Sequence, residues 1–385
     1  MNDRVKTIVD YILRFLFGGV FIFSGFVKAI DPMGTAYKVE EYINVFGMSF
    51  LTDIAGWLPL FIAVVLCVME FMVGVMMLLH IYNKPIRWIA ICFMTFFTIT
   101  TFIDALTNKV DDCGCFGDAV KLTNWQTFWK NIILDVILVG ICYFDKKTKE
   151  DYSKKLPLFT TIIFLILITI FSIRNIVYEP IVDFRPWKVG NKMAPTIDQQ
   201  NPPITYATYK NVTTGEEKEF SMEAEGENTL MAAYAEDSLF AEHWQYVEGK
   251  NRVVGNNTIN ASGFSLTSYG ETKDEALEIL GDTTADLYMV AVWNMDKVND
   301  KGMKRMVKYL KTLPENSHII IVTASSMNKW LDFINKYGVE EYMFYSCDDK
   351  AIKAMIRSNP GVVHLSKTIV KEKFSFRQLP KQKSK

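Results

Sequence analysis

The chain has few cysteines and histidines and no excess of positive charge, which argues against a disulfide framework, a metal site and a nucleic-acid surface. It has six cysteines, and only Cys113 and Cys115 are close together in sequence. Such scattered cysteines exclude a disulfide-stapled fold. No histidine lies near the pair, so a zinc site there lacks its third and fourth ligands, and we expect no metal. The net charge is −1, and the half after Tyr178 has no local excess of lysine and arginine, so we expect no nucleic-acid partner.

Long apolar runs fill the first half of the chain, and most of the charged residues follow it. A membrane span needs roughly 20 mostly apolar residues. Five segments qualify: Val9–Ile30, Trp57–His80, Trp88–Leu106, Phe128–Phe144 and Leu156–Ile176. We interpret the first as a retained helix, because it is longer than a signal core and no clear cleavage site follows it. Asp31–Phe50 is either an amphipathic interfacial segment or a solvated loop.

The orientation follows from the lysines and arginines of the short connections. Arg4 and Lys6 precede the first span, Lys84 and Arg87 follow the second, and five lysines lie in Asp145–Lys155. This alternation places the amino terminus in the cytoplasm of a bacterium. The cysteine pair and everything after the fifth span then lie in the periplasm, and the spans lie in the inner membrane.

The second half predicts a water-soluble α/β region. Tyr178–Pro203 contains five prolines and indicates a linker or an extended edge segment. Ile204–Lys210 and Glu217–Ser221 predict a β-hairpin. From Gly263 onward, strands at Phe264–Ser268, Leu287–Val292, His318–Val322 and Tyr342–Tyr345 alternate with helices, the first opened by a capping box of Thr272 and Glu275. The helices after these strands cover Val298–Leu313, Ser326–Tyr337 and Asp348–Ser358, and a hairpin of Val362–Leu365 and Thr368–Phe374 closes the domain.

This order of elements resembles the thioredoxin fold over Gly263–Phe374, including Pro360 before the final hairpin. The resemblance implies a thioredoxin-like domain with a redox motif after the strand that ends at Val292. This chain has no cysteine in Trp293–Lys297, where that motif would stand. Dithiol exchange needs a nucleophilic and a resolving thiol, so this domain cannot perform it by the usual route. Its lone Cys347 is predicted to be a structural thiol.

The Cys113-Gly114-Cys115 loop is the most informative short motif. Two cysteines separated by one glycine lie on a loop that is predicted to face an oxidising compartment, where disulfides persist. A bond between them would close a small, strained ring, and strained disulfides are the exchangeable ones, which favours a redox role. The alternatives are that the cysteines pair structurally or that the glycines only make a tight loop.

Charged residues within or beside the spans are the second signal, because they are costly unless paired. Counting residues at ~1.5 Å each places Arg14 and Glu70 at similar depths, so the two are predicted to form an intramembrane ion pair. Lys28 and Asp104 lie near the periplasmic surface with the cysteines. A lysine near a thiol lowers its pKa, and Asp104 could orient Lys28 or relay a proton. These residues join Cys113 and Cys115 as candidate catalytic groups.

Residues 9–144 resemble the DoxX / MauE family of four-helix membrane proteins. The resemblance rests on Arg14, Ser24-Gly25, Lys28, Glu70, Gly74 and Cys113–Gly117. It implies a four-helix core, with the fifth span as a tether. It also implies a link to disulfide-dependent enzyme maturation, as for MauE-type members, or to quinol oxidase and thiol systems, as for DoxX-type members. A quinone is therefore a candidate cofactor.

The expected fold is an α-helical membrane bundle followed by a soluble α/β thioredoxin-like domain. The boundaries are 1–150 for the four-helix domain, 151–180 for the fifth span, 181–262 for the linker and hairpin, and 263–385 for the outer domain. The expected function is periplasmic thiol–disulfide or quinone-linked redox chemistry, or maturation of an envelope protein. The alternative is a non-enzymatic scaffold that binds an envelope partner. The expected partners are membrane lipid and an envelope protein client.

Overall fold

The computed structural model describes residues 3–110, 113–144, 155–193, 204–221, 229–236, 239–252, 264–268 and 273–380. They fall into two compact units. The first is Met1–Arg185 with Phe374–Pro380, and the second is Pro186–Lys373 with Lys381–Lys385. Most of the predicted five-lysine connection and the end of the predicted linker lie outside the described residues.

The first unit is a helical bundle. Its helices are α1 (Asp3–Ile30), α2 (Pro32–Val45), α3 (Phe50–Ile54), α4 (Leu58–Leu79), α5 (Asn83–Thr107), α6 (Asn124–Phe144) and α7 (Lys155–Val177). Five of them, α1, α4, α5, α6 and α7, are long and apolar enough to cross a membrane. The five spans predicted from the sequence are therefore confirmed as helices, and they fit a membrane protein.

Helices α1 and α4 pack closely and antiparallel because small residues face each other along them. A Cβ atom built on Gly18 would lie 2.9 Å from the Gly74 carbonyl oxygen. A Cβ built on Gly25 would meet the backbone nitrogen of Phe71 and lie 2.8 Å from the Cys67 carbonyl oxygen. Small residues of this kind let helix backbones approach in membranes. The end of the bundle where α1 ends and α4 begins is called the cysteine end here, because residues 113–123 connect α5 to α6 there.

The amphipathic segment after the first span is helical rather than a loop. Asp31 caps α2 by accepting a hydrogen bond from the Gly34 backbone nitrogen at 3.0 Å. Ala36 and Ile43 are buried, and α2 packs mainly against α4. This packing fixes α2 beside the cysteine end of α4.

The first part of the predicted linker is ordered by a buried arginine. The Arg185 guanidinium donates to Glu179 at 3.1 Å and to Asp183 at 2.7 Å. Burial by itself would lower the pKa of Arg185, but these two carboxylates raise it above its ordinary value. The segment that follows α7 is therefore held by a buried ion-pair cluster.

The second unit contains two sheets. The first has the order β2-β1-β3, from β1 (Ile204–Asn211), β2 (Glu217–Ser221) and β3 (Trp244–Arg252), with the short helices α8 (Thr229–Glu236) and α9 (Phe240–His243). The second has the order β4-β7-β6-β5-β8-β9. Its strands are β4 (Thr267–Ser268), β5 (Leu287–Val292), β6 (His318–Thr323), β7 (Met343–Ser346), β8 (Gly361–Ser366) and β9 (Ile369–Ser375). Its helices are α10 (Ala276–Gly281), α11 (Asp300–Leu310), a 3₁₀ turn at Met327–Lys329, α12 (Trp330–Tyr337) and α13 (Asp349–Met355).

A mixed sheet with a buried central strand forms the core of this unit. All six residues of β5 are buried, as its continuous apolar sequence requires. Strand β5 pairs parallel with β6 and antiparallel with β8. The predicted strands at 287, 318 and 342 and both hairpins are thus confirmed within one or two residues. The Asn359–Pro360 peptide bond is cis.

Two local predictions in this unit fare differently. The strand at Phe264–Ser268 is short, because Asp274 accepts a hydrogen bond from the Leu266 backbone nitrogen that a longer strand would use. Glu275 occupies the N-cap of α10, so it is not the third helical residue that a capping box requires, and Thr272 lies outside the described residues. The third strand β3 was not predicted.

Candidate functional site

A buried ion pair lies at the cysteine end of the bundle. The Lys28 ammonium of α1 donates to both carboxylate oxygens of Glu70 on α4, each at 2.7 Å. It also donates to the Ser24 hydroxyl at 2.9 Å. Glu70 is 2% exposed and Lys28 is 7% exposed. Charges so deeply buried need this mutual pairing, because desolvation costs several kcal/mol per ion.

The Ser24 hydroxyl connects this ion pair to the cysteine loop. Its oxygen lies 2.7 Å from Glu70 Oε2 and 2.8 Å from the Cys115 carbonyl oxygen. One hydroxyl proton can be donated to only one of these acceptors at a time. The same serine therefore touches both the buried charges and the backbone of the second cysteine.

The cysteine loop contains a disulfide between Cys113 and Cys115, whose Cα atoms are 5.5 Å apart. Gly114 between them has a φ of +62°, and Gly117 has a φ of +52°. Glycine adopts such angles without the steric cost that other residues incur. The Gly117 backbone nitrogen donates to the Gly114 carbonyl at 3.0 Å, which closes a tight turn. Both cysteines are half-buried.

An aromatic contact holds the loop against α1 and α6. The Phe116 ring packs edge-on against Phe23 at 5.4 Å between centroids. The Lys130 ammonium of α6 lies 4.7 Å from the centre of the Phe116 ring, a cation–π distance. Lys130 is thereby placed beside the cysteine loop.

Two pockets border the disulfide. The first, called the bundle pocket, lies between α1, α4, α5 and α6, and is lined by Val20, Phe21, Ser24, Lys28, Glu70, Met94, Phe97, Cys115, Lys130, Asn131 and Leu134. The second, called the loop pocket, is lined by Cys113, Gly114, Cys115, Phe116, Gly117, Val120, Lys121, Leu122 and Thr127. Cys115 borders both pockets, whereas Cys113 borders the loop pocket and not the bundle pocket. The second cysteine of the disulfide is therefore shared by the two pockets.

The predicted ion pair between Arg14 and Glu70 is wrong. Arg14 instead donates to both oxygens of Asp10 at 3.0 Å and to Asn83 at 2.7 Å. Helical side chains lean toward the amino-terminal end of their own helix. In the antiparallel helices α1 and α4, Arg14 and Glu70 therefore lean apart, while Lys28 and Glu70 lean toward each other. A depth count from Cα positions alone cannot register this difference.

Asp104 does not orient Lys28 as the sequence analysis expected. Its carboxylate accepts a hydrogen bond from the Tyr42 hydroxyl of α2 at 2.5 Å. The acid that pairs with Lys28 is Glu70. Asp104 thus joins α5 to α2, and a part in proton relay stays a prediction.

Three contributors to the site were given no chemical role from the sequence: Ser24, Lys130 and Phe116. The predicted fourth span began at Phe128, two residues before Lys130. Helix α6 begins at Asn124, so Lys130 lies almost two turns inside it. Asn124 donates to the Val110 carbonyl at 2.9 Å and so ties the connection to the helix start. A helix start at Asn124 instead of Phe128 would have placed Lys130 deeper inside the fourth span and identified it as an intramembrane charge.

The α/β unit has no comparable thiol site among its described residues. Cys347 is 6% exposed, and burial raises the pKa of its thiol to about 12. Such a thiol carries almost no thiolate at neutral pH. Among the residues that the structure describes, no group of three or more His, Cys, Asp or Glu side chains could hold a metal ion.

One comparison with known proteins covers the part of the chain that contains this candidate site. Residues 6–144 match the family described as methylamine utilisation protein MauE. The matched residues include α1, α4, α5, α6 and the cysteine loop. The chain is also similar to Protein TlpB of Flavobacterium psychrophilum, with 27% identity over 177 residues.

That similarity covers 44% of this chain and 45% of the relative, so the chain spans less than half the length of the relative it matches. No solved structure matches the chain. The disulfide and the buried lysine–glutamate pair thus lie in the part of the chain that is similar to MauE-family proteins.

Proposed function

We propose that the helical bundle is a thiol–disulfide exchange module of the bacterial inner membrane and that it oxidises an envelope protein client. The observation that carries the proposal is the contact chain from Lys28 and Glu70 through Ser24 to the Cys115 carbonyl. A disulfide that only stapled a surface loop would not require buried charges beneath it. The match of residues 6–144 to the MauE family also supports the proposal. The resemblance to MauE-type members implies a link to disulfide-dependent enzyme maturation, and so a place in the maturation of an envelope protein.

The exchange is a balanced two-electron reaction. A thiolate of the client attacks one sulfur of the Cys113–Cys115 disulfide, forming a mixed disulfide and releasing the other sulfur as a thiolate. The second client thiol then attacks the client's sulfur in the mixed disulfide and releases the chain's remaining sulfur. The client gains a disulfide, and Cys113 and Cys115 become thiols.

A quinone would reoxidise the pair by accepting two electrons when bound. The residues that line the bundle pocket have the chemistry that such a group needs, but the cavity of about 20 Å³ would have to widen to admit a ring. Its wall includes Phe21, Phe97 and Leu134, and Lys130 supplies a donor for a carbonyl oxygen. Cys115 borders the same pocket. The quinone is therefore the class of oxidant that we include in the proposal.

The α/β unit would bind the client without exchanging thiols itself. Its central β5-α11-β6 unit and its β8-β9 hairpin support a thioredoxin-like arrangement. The buried Cys347 supports a role in binding rather than in thiol chemistry. The lysine and arginine pattern of the connections supports a periplasmic position for this unit and for the cysteine end.

The redox state of Cys113 and Cys115 in native membranes tests the function. Membranes are alkylated with a mass-tagged maleimide before and after mild reduction, with the Cys113→Ser/Cys115→Ser double variant as the reference for the other cysteines. We expect the pair to be oxidised, to open under mild reduction, and to trap a client as a mixed disulfide in one single-serine variant. Free thiols, or a bond that resists mild reduction and traps nothing, would contradict the proposal.

The second candidate function is a membrane-anchored scaffold with a structural disulfide. It is favoured by one observation, the absence of cysteine from Trp293–Lys297 after β5. Under this reading the double-serine variant should still support maturation of its envelope partner. Under the exchange proposal the same variant should abolish it.

A further inference from the structure

The two cysteines of the disulfide differ in the pockets that they border. Cys115 borders the bundle pocket, which also contains Lys28, Glu70 and Lys130. Two lysines and one glutamate leave this pocket with an excess of one positive charge. Since Lys28 is paired with Glu70, Lys130 supplies that excess. Lys130 is half-buried, so its field is less screened by water than that of a surface lysine.

The surroundings of Cys113 differ. It borders the loop pocket, where the lysine is Lys121. Lys121 is exposed, and exposed charges are weakened by water and salt. The Cys115 carbonyl oxygen in addition lies 2.8 Å from the Ser24 hydroxyl, which also contacts Glu70. Cys115 therefore borders the pocket that contains the interior charges, whereas Cys113 does not.

We propose that the disulfide is polarised: an incoming thiolate attacks Cys113, and Cys115 leaves as the thiolate that Lys130 stabilises. This inference rests on the proposed exchange function and assigns a direction to it. In the first step a bond forms between the incoming sulfur and Cys113 Sγ. The Sγ–Sγ bond breaks, and its electron pair stays on Cys115. Lys130 is then a positioning residue that acts on the leaving group through its charge, since a better-stabilised thiolate leaves faster.

The same asymmetry assigns the second half of the reaction. The thiolate of Cys115 remains beside the bundle pocket, on the side where an oxidant in the membrane interior would reach it. Cys113 carries the client during the mixed-disulfide stage, on the side of the loop pocket. Each cysteine thus serves a different partner.

The position of a small-thiol adduct tests this assignment. The purified full-length protein is treated briefly with 2-mercaptoethanol, which carries no charge besides its reacting thiolate, and is quenched with acid. Free thiols are then blocked with N-ethylmaleimide, and the peptide between Lys109 and Lys121 is sequenced by mass spectrometry. We expect the mercaptoethanol group mainly on Cys113 and the maleimide mainly on Cys115. The reverse pattern, or an equal mixture, overturns the polarity while leaving the exchange function standing.

A pair of charge variants provides the second measurement. Lys130→Gln should slow the opening of the disulfide by about threefold, because the rate depends on the stability of the leaving thiolate. Lys121→Gln removes the same charge from the exposed loop pocket and should change the rate by less. Equal effects of the two variants would contradict a role for the interior charge. A disulfide that 2-mercaptoethanol does not open in the unchanged protein would overturn both this inference and the exchange function.

Discussion

The Lys28 ammonium of α1 lies 2.7 Å from each carboxylate oxygen of Glu70 on α4. The two charges form one buried ion pair at the cysteine end. This pair lies beneath the only disulfide among the described residues. Substitutions can separate what the ion pair contributes to the stability of the bundle from what it contributes to the chemistry of the disulfide.

Removal of one partner of the pair should destabilise the bundle. Glu70→Gln leaves the Lys28 charge buried without its counter-ion, which costs about 3–5 kcal/mol in comparable buried pairs. The double variant Lys28→Met/Glu70→Leu removes both charges and should recover much of that loss. Thermal unfolding of the detergent-purified proteins measures both effects. A double variant as unstable as Glu70→Gln would show that the pair is not the cause.

Close packing of α1 on α4 should depend on Gly25 and not on Gly19. A Cβ at position 25 would meet the Phe71 backbone nitrogen, whereas a Cβ at position 19 has nothing within 4 Å. Gly25→Ala should therefore cost about 1–3 kcal/mol through overpacking. Gly19→Ala is the matched control and should be neutral or slightly stabilising. The two variants are compared by thermal unfolding, and equal stability would contradict the contact.

The sequence predicted the long elements well because each carries a strong repeated signal. The five spans follow from long runs of apolar residues, and β5 and β6 follow from short continuous apolar runs. The partner of Glu70 could not be predicted in the same way. It depends on which way side chains lean in antiparallel helices, and a count of residues along one helix does not contain that information.

The site was predicted in part for a similar reason. Cys113, Cys115 and Lys28 were identified, because two cysteines on one loop and a lysine in a span are visible in the sequence. Lys130 was missed because the start of α6 was placed four residues too late. Ser24 was visible only as part of a family resemblance, since a serine in an apolar helix has no chemical signal until its neighbours are known.

Replacement of Asp104 should not change the rate at which the disulfide opens. Asp104 bonds to Tyr42 and not to Lys28, so Asp104→Asn should leave the rate of disulfide opening by a small thiol unchanged. Tyr42→Phe removes the donor to a buried carboxylate and should cost about 1.5–3 kcal/mol of stability. The opening rate is followed by maleimide labelling at constant pH. A slowed rate in Asp104→Asn would restore the sequence-based expectation that this acid acts on the thiols.

The Cys347 thiol should be almost inert to alkylation while the α/β unit is folded. Its pKa is raised from 9.0 to about 12 by burial, so the reactive thiolate is roughly 1000-fold scarcer at pH 8 than for an ordinary thiol. The folded state binds the Cys347 proton more tightly than the unfolded state does. The contribution of this thiol to the free energy of unfolding is therefore full below pH 9 and is lost as the pH rises through about 12. Labelling at pH 8 in native and denaturing conditions, in a Cys67→Ala/Cys92→Ala/Cys142→Ala background with the disulfide intact, measures the difference. Rapid labelling of the native protein at pH 8 would mean that Cys347 is accessible, and a thiol role for the α/β unit would have to be reconsidered.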